Sequence, residues 1–192
     1  MTHVAARVPV VAVIGSAGAI ADELAADAYA LGQLCMERGW YLVTGGLDGV
    51  MAAASRGARE SPHWRAGRIV GVLPSYDRDS ANPWCDLVVP TGAQLARNIT
   101  VIAMADAVVA MAGGAGTLSE IAMAWQLGKP VVALASHGGW ASRLAGQHLD
   151  ARRADAIERA SDPRTAVEQV AHILSARRGE PGDIGSGWRK TP

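Results

Sequence analysis

Gly113-Gly114-Ala115-Gly116-Thr117-Leu118-Ser119-Glu120 is the segment of this chain richest in chemistry. Glycines let a backbone approach a ligand closely and adopt positive φ. A helix that follows them offers unpaired N–H groups at the positive end of its dipole. The combination suits a phosphate, and the Thr117 hydroxyl can add a donor. A second reading needs no ligand: Thr117-x-x-Glu120 is also a capping-box pattern. There Glu120 satisfies a backbone N–H and the glycines only make a tight turn.

Two more glycine clusters follow short apolar runs, Gly15-Ser16-Ala17-Gly18 and Thr44-Gly45-Gly46-Leu47-Asp48-Gly49. Neither fits a common nucleotide signature. A P-loop needs Gly-Lys-Ser/Thr, and neither Lys129 nor Lys190 is so placed. The G-x-G-x-x-G fingerprint is missing after the first strand, and the second ends in Thr44-Gly45-Gly46 with no acid at that end for a ribose hydroxyl, which argues against a nicotinamide dehydrogenase. Ser16 either touches a phosphate or sugar or belongs to the turn. Asn98 either binds ligand or caps a backbone group. Trp84 and Trp125 either stack on a base or pack in the core, and packing is the commoner role. Met51 reads as core. Asp106 opens a strand. Lys129, just before Pro130, has no evident desolvated pocket, which speaks against a Schiff-base lysine.

The elements that must position these residues are legible as apolar runs and helical periods. Strands are expected at Val8–Ile14, Trp40–Val43, Arg68–Leu73, Asp86–Val89, Asp106–Met111 and Val131–Ala135. Helices are expected at Ile20–Arg38, Gly49–Glu60, Ala93–Met104, Thr117–Leu127 and Pro163–Arg178, with an undecided segment at Arg152–Glu158. Strands alternating with helices predict an α/β fold: a doubly wound, Rossmann-like parallel sheet with helices on both faces. Residues 1–178 form a single domain in this reading, and 179–192 a mobile tail. The glycine clusters then fall at the carboxyl ends of strands, where such sheets bind ligands.

Composition narrows the classes. The 192 residues carry no net charge, 49% are hydrophobic and 19% charged. That argues against a disordered chain, and no cationic excess is available for nucleic acid. Two cysteines and five histidines without ligand spacing call for no metal and no cofactor. No apolar run is long enough for a membrane and no secretory segment opens the chain, so a cytoplasmic protein is expected.

The motifs, taken in order, resemble the LOG family, once described as lysine decarboxylases, within the SLOG group of Rossmann-like nucleotide-binding domains. Gly113–Glu120 resembles its PGGxGTxxE motif, and Gly45-Gly46-Leu47-Asp48-Gly49-Val50-Met51 its GGxxGxM segment. Ile14-Gly15-Ser16-Ala17-Gly18 resembles the opening loop, Gly71-Val72-Leu73-Pro74 the G-I-x-P strand end, and Arg97-Asn98 an Arg-Lys pair. Two positions depart: Ala112 stands at the motif's proline and Asn98 at its lysine. These forms resemble a bacterial branch that is also similar to molybdenum-cofactor carrier proteins. The resemblance implies a homodimeric hydrolase that cuts the N-glycosidic bond of a nucleoside 5′-monophosphate, giving free base and ribose 5-phosphate. Arg97 and Glu120 would be the catalytic pair. Gly15, Ser16, Gly45, Gly46, Asn98, Gly113, Gly114, Gly116 and Thr117 would contact the nucleotide and its phosphate. The competing implication is a non-catalytic carrier of a nucleotide or a pterin-type cofactor.

Overall fold

The computed structural model describes residues 7–178. The tail expected over 179–192 lies outside the described residues. Continuous Val, Ile, Leu and Ala runs form the strands β1 (Val10–Gly15), β2 (Tyr41–Thr44), β3 (Ile69–Leu73), β4 (Leu87–Pro90), β5 (Ala107–Met111) and β6 (Val131–Leu134). A short β7 (Glu158–Ala160) completes the sheet. The helices are α1 (Asp22–Glu37), α2 (Val50–Glu60), α3 (Arg97–Met104), α4 (Ala115–Gln126), α5 (Gly139–Leu144) and α6 (Pro163–Arg178).

The strand order is β4-β3-β2-β1-β5-β6-β7, and every neighbouring pair is parallel. The chain walks from β1 out to β4, then returns to lay β5 on the other side of β1. This single domain is the expected Rossmann-like fold, and its order reverses between β1 and β5, where doubly wound sheets open a crevice.

Alternate strand residues face opposite sides. Val11 and Val13 pack with Leu24, Leu31, Ala54 and Val170, beneath α1, α2 and α6. Ala12 and Ile14 pack with Ile102, Ile121 and Ala141, beneath α3, α4 and α5. The first layer is drawn tight by glycine. A Cβ on Gly57 would lie 1.9 Å from the Tyr29 carbonyl oxygen, and one on Gly32 2.0 Å from that of Ala54. Only glycine lets the α1 and α2 backbones approach so closely.

Four expectations change. α4 begins at Ala115 with Gly114 as N-cap, so Thr117 is its third residue and not its cap. The helix expected from Ala93 is broken: a 3-10 turn (Gln94–Ala96) precedes α3, with Gln94 at φ +50°. α5 and β7 have no counterpart among the expected elements. α5 opens on a glycine pair, and β7 carries two charged residues in three, so neither shows an apolar period. Lys129 is partly desolvated after all: burial pushes its ammonium pKa down, with Asp106 opposing. It precedes β6, at the amino-terminal edge of the sheet, away from the glycine clusters.

Trp125 takes its packing role. It is 3% exposed, its Nε1 donates to Asp150 Oδ1 at 3.1 Å, and the Arg153 guanidinium lies 4.5 Å above the ring. Asp106 pairs with Arg7 and accepts from the Val10 amide at 2.9 Å, fixing the start of β1. No helix among the described residues is long and apolar enough to cross a membrane.

Candidate active site

The three glycine clusters meet at one edge, as their strands are neighbours in a parallel sheet. Gly15 stands beside Met111 in the β1–β5 register. Ser16 stitches the clusters together. Its Oγ accepts from the Gly113 amide at 3.1 Å, and its carbonyl accepts from the Val50 amide at 3.0 Å. Gly49, at φ +67°, passes so close to Ser16 that a Cβ would lie 2.3 Å from the Ser16 carbonyl oxygen.

The loop between β5 and α4 is pinned from behind. Ala112 holds φ +50° and Gly113 φ +87°. Their carbonyls accept from the Ala141 amide at 2.9 Å and the Trp140 amide at 3.0 Å, both from α5. With the Gly113 amide taken by Ser16, the amides of Gly114, Ala115, Gly116 and Thr117 make no backbone hydrogen bond among the described residues. These are the orphan donors of a helix start. Gly114 and Gly116 are exposed, and a Cβ on either would meet nothing within 4 Å. Thr117 lies beneath the loop: it is 3% exposed, and a Cβ on Gly113 would fall 2.2 Å from its Oγ1. The capping box is not formed, because the N-cap is Gly114 and no side chain caps the helix. Glu120 therefore has another occupation.

Arg97 opens α3, and Glu120 lies one turn beyond Thr117 on α4. Each is 8% exposed. The Arg97 guanidinium rests on Gly45, where a Cβ would be 2.1 Å from Nη1. Its Nε is buried with no hydrogen-bond partner. Burial pushes the Glu120 carboxyl pKa up to about 7, and the nearby Arg97 charge opposes the rise. Burial likewise pushes Arg97 down, with Glu120 opposing. The two feel each other's charge, yet among the described residues they form no direct ion pair. A buried cation with an unpaired donor, a buried carboxyl with its pKa raised to about 7, and four amides without backbone partners, those of Gly114, Ala115 and Gly116 on exposed residues, form an arrangement that suits an anion and proton transfer.

The other expected residues sort by position. Asn98 follows Arg97 and is 7% exposed. Gly46, at φ +72°, makes the turn after β2: its amide donates to Thr44 Oγ1 at 3.1 Å and its carbonyl accepts from Asn82 at 2.8 Å. Gly15 is confined by packing, since its Cβ would lie 2.5 Å from the Met111 carbonyl oxygen. Trp84 is half-buried, with the Arg56 guanidinium 6.0 Å from its ring. Sequence reasoning missed the α5 backing of the loop. Its only signal is the glycine pair Gly138-Gly139 after β6, both at positive φ.

The family model described as the SLOG cluster4 family matches residues 8–167. A cytokinin riboside 5′-monophosphate phosphoribohydrolase of Mycobacterium marinum is 33% identical over 172 residues, covering 83% of this chain and 85% of that protein. Among solved structures, the molybdenum cofactor binding protein of the phototrophic bacterium Rippkaea orientalis superimposes with a TM-score of 0.76 at 32% identity, covering 88% of this chain and 98% of that one. The molybdenum cofactor carrier protein of Chlamydomonas reinhardtii does so with a TM-score of 0.72 at 30% identity, covering 87% and 99%.

Proposed function

The chain belongs to the SLOG cluster4 family, and from that premise we propose that it is a phosphoribohydrolase of nucleoside 5′-monophosphates. The observation that carries this reading is that Arg97 and Glu120 are both buried and each feels the other's charge, with Glu120 in the second turn of α4, whose amino terminus is uncapped by any side chain. The similarity to the Mycobacterium marinum phosphoribohydrolase supports it.

The 5′-phosphate lies against the amides of Gly114, Ala115, Gly116 and Thr117, with Arg97 as its cationic partner. This places the ribose near Glu120. Cleavage of the C1′–N bond sends its electron pair to the base and leaves oxocarbenium charge on the ribose. A carboxylate at Glu120 opposes that charge and takes a proton from the attacking water. The water oxygen bonds to C1′, and the proton held by Glu120 ends on the base. A carboxyl at about 7 suits both directions of transfer near neutrality. Asn98, Ser16, Gly15, Gly45 and Gly46 shape the pocket around the sugar.

The second reading is a carrier that binds a phosphorylated pterin-type cofactor on the same loop without cleaving it. The two molybdenum-cofactor proteins favour it, as do Ala112 and Asn98 where the LOG motifs have proline and lysine. Incubation with a panel of nucleoside monophosphates, with chromatography of released base, separates the two. A phosphoribohydrolase yields base and ribose 5-phosphate in equal amounts, whereas a carrier binds and releases nothing.

The expected homodimer has a candidate face on α3, where Ile99 and Met104 are 40% and 38% exposed and Leu95, just ahead of it, 81%. Sedimentation of wild type against Leu95→Glu tests it.

A further inference from the structure

We propose that His137 is a positioning residue for the anion loop, acting from behind through the segment that joins β6 to α5. The proposal rests on the anion-site reading above. Ala112 holds φ +50°, a conformation that L side chains avoid, so the surrounding structure must impose it. The restraint comes from the Trp140 and Ala141 amides on the Gly113 and Ala112 carbonyls. A trans peptide points its C=O and N–H in opposite directions. Drawing the Gly113 carbonyl toward α5 therefore turns the Gly114 amide away from α5, into the open face. Drawing the Ala112 carbonyl the same way turns the Gly113 amide onto Ser16, where it is found.

The backing segment reaches the core through the fully buried Ala141, but its entry is built of glycine. Gly138 and Gly139 both hold positive φ, and Gly139 is pressed so close that a Cβ would lie 2.4 Å from the Ala112 carbonyl carbon. The Trp140 ring is met by Arg143 of its own helix, at 5.0 Å. Among the described residues, the side-chain hydrogen bond that ties this segment to another element is that of His137, whose Nε2 donates to Asp27 Oδ2 at 2.7 Å. Asp27 lies on α1, the helix that follows the Gly15–Gly18 loop. This bond and the two amide bonds from Trp140 and Ala141 thus join α1, the backing segment and the anion loop in series.

Without the tether the loop is competent for only a fraction of the time, and apparent affinity falls by that fraction. The test uses orthophosphate and ribose 5-phosphate as probes, with calorimetric titration. His137→Ala and Asp27→Ala should each weaken binding by about five- to tenfold, and the double variant should be no worse than either. His137→Gln, which keeps a donor, should recover most of the loss. Amide exchange at Trp140 and Ala141 should quicken in His137→Ala while that of β5 stays unchanged. Should His137→Ala fail to fold, Asp27→Leu, which removes the acceptor, carries the same test. Wild-type affinity and exchange in the folded variants would overturn the proposal. So would a loss in His137→Ala without one in Asp27→Ala, which would make His137 a direct ligand contact. A wild type that binds neither probe removes the anion-site reading itself, and the proposal with it.

Discussion

The Arg97 guanidinium lies on Gly45, leaving no room for a Cβ: the nearest atom, Nη1, would be 2.1 Å away. Position 45 therefore acts as the seat of an arginine that comes from a different element, the start of α3. The atoms in the way are the far end of a flexible side chain. Gly45→Ala should fold with a small change in Tm, but displace Arg97 and lower turnover by about tenfold or more. Paired melting curves and rate measurements check this, and normal turnover in the Gly45→Ala protein would remove the seat from the catalytic account.

Gly57 gives the opposite result, because its obstacle is backbone. A Cβ there would lie 1.9 Å from the Tyr29 carbonyl oxygen and force α1 away from α2. Gly57→Ala should cost about 2 kcal/mol or more in chemical denaturation, as overpacked cores do. Any remaining folded protein should keep Arg97 and Glu120 in place, since neither helix carries them, but should bind phosphate less well, since α2 starts at Val50, which donates to the Ser16 carbonyl, and α1 carries Asp27.

Glu120 links stability to pH with a definite sign. Its folded pKa, about 7, lies above its ordinary value of 4.5 because burial disfavours the charged form. Between those values the native state holds a proton that the unfolded chain has released. Stability from this group therefore falls as pH rises from about 4.5 to about 7, and is level above. The loss is at most about 3 kcal/mol. Glu120→Gln lacks this titration, so its advantage in Tm over wild type should grow across that window. A constant difference from about pH 4.5 to about pH 8 would mean that Glu120 ionises normally.

The sheet is legible in the sequence because its strands announce themselves. Val10–Gly15, Ala107–Met111 and Val131–Leu134 are unbroken apolar runs ended by glycine or followed by a loop, and buried parallel strands need nothing else. The site is legible as a set of residues, and less so as a geometry. Thr117 and Glu120 fit a cap or a catalytic face equally well, and a small shift in the helix start decides between them. The contact of Arg97 with Gly45 needs β2 and α3 to meet at one sheet edge, which no local period encodes. α5 and β7 are held by long-range hydrogen bonds: two amides on the Ala112 and Gly113 carbonyls, and pairing with β6. Elements made that way leave little trace in their own residues.

Ala112 gives a test of the loop's backbone. Proline's ring locks φ near about −65°, far from the +50° held here. Ala112→Pro should therefore destabilise the protein by about 3 kcal/mol and abolish phosphate binding in whatever remains folded. Ala112→Gly, which meets no Cβ penalty at this φ, should change stability by no more than about 1 kcal/mol and keep binding. Ala112→Pro with full affinity would show that the loop reaches its competent shape by another backbone path.

The charge on Glu120 is the feature that separates catalysis from binding. Gln has nearly the same shape and can occupy the same buried position, but it cannot oppose an oxocarbenium ion or take a proton from water. If the proposed hydrolysis is right, Glu120→Gln keeps its affinity for the nucleotide and loses turnover by roughly 100-fold or more. Arg97→Ala removes a buried cation that feels the Glu120 charge and, in the proposed mechanism, meets the phosphate, so it should lose affinity as well as turnover. It should also push the Glu120 pKa higher, since Arg97 is the charge that holds it down. The two defects should combine to less than their sum, because each residue acts on the same transition state. Single-turnover rates and equilibrium titrations on wild type, the two single variants and the double variant supply the corners of that cycle. Full activity in Glu120→Gln would leave Glu120 as a packing residue. Additive losses would mean that Arg97 serves only the phosphate and Glu120 acts alone.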